Sequence, residues 1–360
     1  MNMKKLCIIF GGASVEHDVS IITGLQLCKN LEKTNEIEKI YIGVDNKFYN
    51  ATKLNQPSQF ENKNDLKLKE VVFSSGSLYQ KGMFYKKICD IDCVINCCHG
   101  GVGENGDLAG FFATLGIRCT SSNALAAHIA MDKSLTKTLI EKVVPVVKGI
   151  KVNKNNYKTA IEDIKNNLKD ELIVKPNSLG SSIGVKVCDK TNFISQIDAI
   201  FEMCDDALVE EKVNNLKEYN QACFMDNNEL VLSAIESPIS KCDFLSFDDK
   251  YKSGGKSKGK DRELPAKISK TLSNKITEYT KRVYSILNVN GVVRIDYLYD
   301  TKSKKLYFNE INTIPGSMAF YLYEPIGIDY ISLIHKLVEN AGDIKKFAYY
   351  NTQILKDKKI

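Results

Sequence analysis

No apolar run in this chain approaches the ~20 residues that a membrane helix needs, so a membrane partner is not expected. The N-terminal run Leu6-Cys7-Ile8-Ile9-Phe10 has only five apolar residues before Gly11-Gly12, too few for a signal peptide. It reads as a first strand. No block of one-signed charge stands out either. The excess of +6 is scattered, and its densest run, Lys250 to Arg262, has no interleaved aromatic beyond Tyr251. That composition suits a loop over an anionic ligand better than a nucleic-acid surface. An even cysteine framework is missing too. The 11 cysteines are irregularly spaced and sit in apolar runs such as Cys93-Val94-Ile95-Asn96-Cys97-Cys98. They read as reduced, buried small hydrophobes of a cytoplasmic protein. Zinc at Cys89, Cys93, Cys97, Cys98 and His99 is disfavoured because a strand sends Cys97 and Cys98 to opposite faces.

What is present is ordinary for a soluble enzyme: 43% hydrophobic and 26% charged residues. At 360 residues the chain exceeds one core, so two or three subdomains around a cleft are expected. The first strand meets a glycine turn, and Ile21, Ile22, Leu25, Cys28 and Leu31 then recur at helical spacing. Strand, glycine loop and helix open a doubly wound α/β unit. Glu16 lies in that loop, as a ligand group or as a cap for the helix. The pattern returns at Asp92 to Cys98, followed by His99-Gly100-Gly101-Val102-Gly103-Glu104-Asn105-Gly106, where four glycines allow close backbone approach.

Asp132 reads as an N-cap, which puts Lys133 at the positive end of a helix, where it either meets an anion or is solvated. A strand ending at Lys175 runs into Pro176 to Val185, whose glycines and serines, Ser181 and Ser182 among them, suit a phosphate-wrapping flap between strands. Glu210, Glu211 and Lys212 end a further strand and Glu218 follows; each glutamate is a nucleotide contact or a solvated strand end. Gly254 to Lys260 mimics a P-loop, but Asp261 stands where Ser or Thr would bind Mg²⁺, and no strand precedes it. Leu272, Ile276, Tyr279, Val283 and Leu287 form the core stripe of a helix.

Val293-Arg294-Ile295-Asp296 and Phe308-Asn309-Glu310-Ile311-Asn312 thread polar groups through two strand-like runs. Residues i and i+2 share a strand face, about 6–7 Å apart. Asp296, Glu310 and Asn312 therefore form an all-oxygen set suited to Mg²⁺. Arg294 either holds phosphate or an oxyanion, or pairs with the acid beside it.

In order, Gly11 to Ser20, His99 to Gly106, Met131-Asp132-Lys133, Val174 to Val185, Glu211-Lys212, Lys250-Tyr251, Arg294 to Asp296 and Asn309 to Asn312 resemble the D-alanine:D-alanine ligases of the ATP-grasp superfamily. The likeness runs from Lys5 to about Gly342. It implies an N-terminal doubly wound parallel-sheet α/β domain (1–128), then a two-lobed α+β ATP-grasp fold. The central lobe would be 129–210 and the C-terminal lobe 211–345, with a lid at 244–266 and a tail at 346–360. It implies that Lys133, Lys175 and Ser182 grip ATP phosphates, that Glu210, Glu211 and Lys212 line the adenine slot, and that Glu218 meets the ribose. Asp296, Glu310 and Asn312 would bind two Mg²⁺, with Mn²⁺ able to substitute. Glu16 would orient the ammonium of the first D-alanine, with His99 in the same pocket. Ser181 and Tyr251 would tie flap to lid beside Lys250, while Arg294 and the Gly316 N–H would face the oxyanion.

The implied reaction joins two D-alanine molecules through an acylphosphate to supply a peptidoglycan precursor, in a homodimer formed through the first domain. Leu322 and Tyr251 resemble the alanine-using pattern. Tyr321 departs from it, standing where many relatives carry a serine that contacts the second substrate's carboxylate. A D-alanine:D-serine ligase, another D-amino acid ligase and a non-catalytic ATP-binding protein are the alternatives.

Overall fold

Three buried apolar runs seed three sheets, one in each part of the chain. The computed structural model describes residues 5–61, 66–239 and 262–342. The first sheet contains β1 (Lys5–Gly11), β2 (Ile37–Ile42), β3 (Phe48–Asn50), β4 (Val71–Ser74), β5 (Ser77–Gln80), β6 (Lys86–Asn96) and β7 (Arg118–Cys119). Its order is β3-β2-β1-β6-β5-β4, with β7 also on β6. β1 is parallel to β2 and β6, and β6 to β7. The expected parallel sheet is thus its centre, and β3, β4 and β5 extend it in antiparallel fashion. Cys7 to Phe10 are fully buried, as a strand covered on both faces requires. The chain leaves β1 for β2 on one side and β6 lies on the other, so the loops after β1 and β6 open at a switch point, where such sheets take ligands.

The second sheet, β8 (Gly149–Asn153), β9 (Leu172–Pro176), β10 (Lys186–Cys188) and β11 (Asp206–Glu211), is antiparallel in the order β10-β9-β11-β8. Val174, Ala207 and Val209 pack against helices Tyr157–Asn167 and Phe193–Phe201. By strand alternation Lys175, Leu208 and Glu210 face the other way. No helix lies between β9 and β10, which fits the expected flap.

The third sheet joins β12 (Leu216–Asp226), β13 (Glu229–Pro238), β14 (Arg262–Glu263), β15 (Val293–Asp300) and β16 (Lys305–Asn312) in the order β14-β13-β12-β15-β16. Helix Lys270–Leu287 buries Ile276, Tyr279, Val283 and Leu287 on it, while Leu272 is only partly covered. Arg262 and Glu263, expected in the lid, instead pair with Pro238 and Ser237 as an edge strand. One apolar cluster runs from β1 and helix His17–Leu31 to Phe224 and helix Tyr330–Glu339, so the first sheet's layer packs directly on the third. Among the described residues no helix is long and apolar enough to cross a membrane, and every described cysteine is unbonded.

Candidate active site

The second and third sheets face each other across a cleft lined by Lys133, Lys175, Glu210, Glu218, Asp296 and Glu310, among others. A smaller recess with Glu16, Glu104, Gly180 and Asn312 adjoins it and shares Lys133, Leu179 and Glu310. The N-terminal layer therefore supplies the far wall of the site.

Asp132 caps helix Lys133–Ile140, its Oδ1 accepting from the Leu135 N–H at 2.8 Å. The cap fixes the first turn, from which Lys133 enters the cleft. Its Nζ donates to the Leu179 carbonyl in the flap at 2.7 Å and lies 3.6 Å from Glu310. Four residues on, Lys137 also points inward and pairs with Glu210 Oε1. The other oxygen of Glu210 meets Lys175 at 2.6 Å, and Lys175 reaches Asn309 Oδ1 at 3.3 Å. Burial works against the Glu210 carboxylate, yet Lys137 and then Lys175 outweigh it and hold its pKa below the ordinary range. Burial pulls Lys137 down to about 8, opposed by Glu210. Lys133 is pulled down by burial as well. Glu210 is no solvated strand end; it is the bridge between two lysines.

Beyond this cluster the cleft is apolar, with Val147, Ile173, Val185, Leu216 and Leu298, and carries Glu211 and Glu218 at its rim. A flat ring between such residues with acids at the edge is the chemistry of a nucleoside slot. Lys212 departs from expectation: its Nζ lies 3.7 Å from Glu171, and the side chain does not line the cleft.

At the cleft floor, Arg294 is in register with Asn312 and Asp296 with Glu310. The register then slips, so that Tyr297 faces Phe308 and Asn309 is the extra residue of a bulge. Leu306 and Phe308 are buried on one face and Ile311 takes over that face after the bulge, which leaves Glu310 and Asn312 toward the cleft. Two carboxylates opposed across neighbouring strands repel unless cations stand by. Here Arg294 clamps Asp296 through Nε and Nη2, both at 2.8 Å, and Asn312 Nδ2 donates to Asp296 Oδ2 at 3.1 Å. The ion pair and the metal-type set are one arrangement. Burial opposes the Arg294 charge, but Asp296 outweighs it and raises the pKa further above its ordinary value. The donors fit a hard divalent cation. Among the described residues no three His, Cys, Asp or Glu side chains cluster to hold a metal by themselves. A cation here therefore needs the Asn312 amide and oxygens from a phosphate.

In the adjoining recess, Glu16 is 7% exposed and accepts from the Ser181 hydroxyl, linking the flap to the N-terminal layer. A Cβ on Gly180 would stand 2.7 Å from Glu16 Oε2, and one on Gly100 2.9 Å, so a side chain at either would displace the Glu16 carboxylate, and the φ of +64° at Gly100 also favours glycine. His99 is not free to meet a substrate. Its Nδ1–H donates to the Ile314 carbonyl at 2.7 Å, and Nε2 accepts from the Thr23 hydroxyl at 2.9 Å. Burial holds its pKa below the ordinary value. It acts on the segment after β16.

Glu104, which sequence reasoning quoted but gave no role, grips the same segment. Its Oε1 accepts from the Thr313 and Ile314 N–H groups at 3.0 and 3.1 Å, and Oε2 from Gly100 N–H at 3.0 Å. Burial and then the nearby Glu16 carboxylate push its pKa up to about 7. The signal was present in the glycine-rich run. Its partners, more than two hundred residues away, were not.

A Cβ on Gly316 would meet nothing within 4 Å, so the chain here borders open space on its Cα side. Ser317, Met318 and Ala319 follow with φ of 50°, 55° and 51°, three consecutive non-glycine residues in a left-handed turn. Such a turn costs roughly 1–2 kcal/mol per residue. Burial of Met318 and Ala319 and the Ser317 Oγ–Gln26 bond at 2.8 Å hold it. Leu322 is fully buried in the core behind this turn, so its side chain supports the site without lining it. Lys250 and Tyr251, with the look-alike P-loop, lie outside the described residues.

Two sheets closed over buried lysines, an apolar slot and a set of carboxylate and amide oxygens fit an ATP-dependent ligase of the ATP-grasp fold. The family model "D-ala D-ala ligase N-terminus" matches residues 5–122 and "D-ala D-ala ligase C-terminus" residues 139–339, so the chain belongs to the D-alanine–D-alanine ligase family. It is 34% identical over 370 residues to the D-alanine–D-alanine ligase of Thermosipho melanesiensis, covering 99% of each chain. To that of Campylobacter jejuni subsp. doylei it is 33% identical over 323 residues, covering 89% of each. Among solved structures it resembles the Helicobacter pylori D-alanine–D-alanine ligase (27% identity, TM-score 0.75, 95% and 99% of the chains). It also resembles the VanG D-Ala:D-Ser ligase of Enterococcus faecalis (27%, TM-score 0.80, 95% and 100%).

Proposed function

We propose that the chain joins two D-alanine molecules with ATP to give D-alanyl-D-alanine, a peptidoglycan precursor. The observation that carries this reading is the meeting of Glu16, Ser181 and Gly180 with Lys133 and Glu310 in one recess. An acid placed for an ammonium then borders the phosphate end of the nucleotide cleft.

The ammonium of the first D-alanine rests against Glu16, which aims its carboxylate at the γ-phosphate. Lys133 and Lys175 screen the crowded negative charge as that carboxylate attacks and ADP leaves, giving an acylphosphate. Glu211 and Glu218 hold the adenine and ribose end, and Ser182 donates from the flap. Asp296, Glu310 and Asn312 would hold two Mg²⁺, with Mn²⁺ as a substitute, and the bound metal would neutralise phosphate charge. The amine of the second D-alanine attacks the activated carbonyl, the Gly316 N–H and Arg294 meet the resulting oxyanion, and phosphate departs. Acylphosphates hydrolyse readily, so flap and lid exclude water, with Ser181, Lys250 and Tyr251 in that closure. The division at about residues 128 and 210 is supported by the three sheets, and a homodimer through the first domain completes the proposal.

Offering D-alanine, D-serine and D-lactate together, with products separated by mass, tests the substrate assignment. D-Alanyl-D-alanine is the expected main product; a main product ending in serine or lactate would replace this reading with that of another ligase.

A further inference from the structure

We infer that Arg262 reads the carboxylate of the second amino acid, with Tyr321 and Glu236 holding it for that purpose; the inference rests on the ligase reading above. The second amino acid arrives with a carboxylate only a few ångströms from its attacking amine, so a donor or cation beside the oxyanion site is needed to receive it. Among the described residues the deeper cations each already face an acid. Arg294 spends Nε and Nη2 on Asp296, Lys175 and Lys137 meet Glu210, and Lys133 lies against Glu310.

Arg262 is held differently. Its guanidinium carbon lies 4.4 Å from the centroid of the Tyr321 ring, and Nη1 is 3.2 Å from Glu236 Oε1. The other Glu236 oxygen accepts from the Tyr321 hydroxyl at 3.3 Å. Glu236, 5% exposed, thus fixes ring and guanidinium together, while the Arg262 side chain is 40% exposed. Pairing of Arg262 with Pro238 anchors its backbone on the sheet edge. A stacked, singly paired guanidinium presents its remaining N–H edge as a fork that fits a carboxylate. Glu236 and Asp296 stand at the same register on either side of Asn220 in the third sheet, and Arg294 holds Asp296, which sets this group beside the oxyanion site.

The same geometry accounts for tyrosine at 321. A serine hydroxyl could donate to the carboxylate directly; the tyrosine hydroxyl is spent on Glu236, and its ring serves as the platform. Recognition passes to the arginine lying on it.

Steady-state kinetics with D-alanine and with D-alaninamide as the second substrate tests this. Arg262→Ala is expected to lower kcat/KM for D-alanine at the second site by about 10–100-fold, the loss of a charge-assisted pair. KM for ATP and for the first D-alanine should stay near wild type. D-Alaninamide, which lacks the carboxylate, should be used equally well by both proteins. Arg262→Lys should fall between them, and Tyr321→Phe should show a smaller loss of the same kind. Equal losses for both acceptors, or a rise in KM for ATP of the same size, would make Arg262 an anchor for the neighbouring loop and overturn the inference. A wild-type enzyme that forms no dipeptide from D-alanine would remove the ligase reading itself.

Discussion

Replacing Lys137 with methionine isolates the buried charge cluster that the nucleotide cleft is built on. The side chains of Lys137 and Glu210 are 7% and 4% exposed, so water cannot take over either charge. Without Lys137, the Glu210 carboxylate keeps only Lys175, to which the proposed reaction gives a phosphate role. Breaking a buried pair from one side costs about 3–5 kcal/mol, because the remaining ion stays desolvated. Glu210→Gln should cost about as much, leaving two lysines facing each other. The double variant removes the stranded ion as well, so it should lose about 2 kcal/mol less than the sum of the singles. Urea unfolding of the three variants gives these differences, and binding of a fluorescent ATP analogue gives the functional side. Affinity should fall in Lys137→Met because Lys175 is drawn onto Glu210. Single costs that add to within about 0.5 kcal/mol would refute the bridge as the organising contact.

Gly180→Ala puts a methyl 2.7 Å from Glu16 Oε2, and the Glu16 carboxylate must shift to make room. Turnover should fall by roughly 10²-fold with little change in melting temperature; an unimpaired variant would show that the close approach is dispensable. Asp132, lowered to about 2 by its bonds to Leu135, Asn177, Ser134 and Lys151 against the opposing effect of burial, is ionised more readily folded than unfolded. Its stabilisation is complete above the unfolded pKa of 3.8 and is lost as pH falls through about 2. Asp132→Asn should therefore cost about 1–2 kcal/mol at pH 7, with the cost fading as pH falls from about 4 and gone below about 2, which a pH series of unfolding measurements reads. Glu310→Gln should raise the Mg²⁺ needed for half-maximal turnover with the fold intact, and an unchanged Mg²⁺ titration would remove it from the metal set.

Most of the architecture was legible because it depends on local pattern. A short apolar run before Gly11-Gly12 could only be a buried strand, and Asp132 ahead of a helical stripe announced both cap and lysine. Arg294 with Asp296, and Glu310 with Asn312, followed from strand alternation. What escaped depends on distant partners. Lys137 on a helix reads as solvated until Glu210 is seen opposite it. Glu104 finds its donors in Thr313 and Ile314. The bulge at Asn309 leaves no residue signature, and the left-handed Ser317-Met318-Ala319 turn contradicts every local preference. Arg262 and Glu263 looked like loop because their strand is made by β13 and not by their own sequence.

Phosphate release from ATP, measured with and without D-alanine and followed by mass analysis of the product, tests the central claim most directly. Release that depends on D-alanine and matches D-alanyl-D-alanine mole for mole is the predicted result. Absence of release with every D-amino and D-hydroxy acid offered would contradict it.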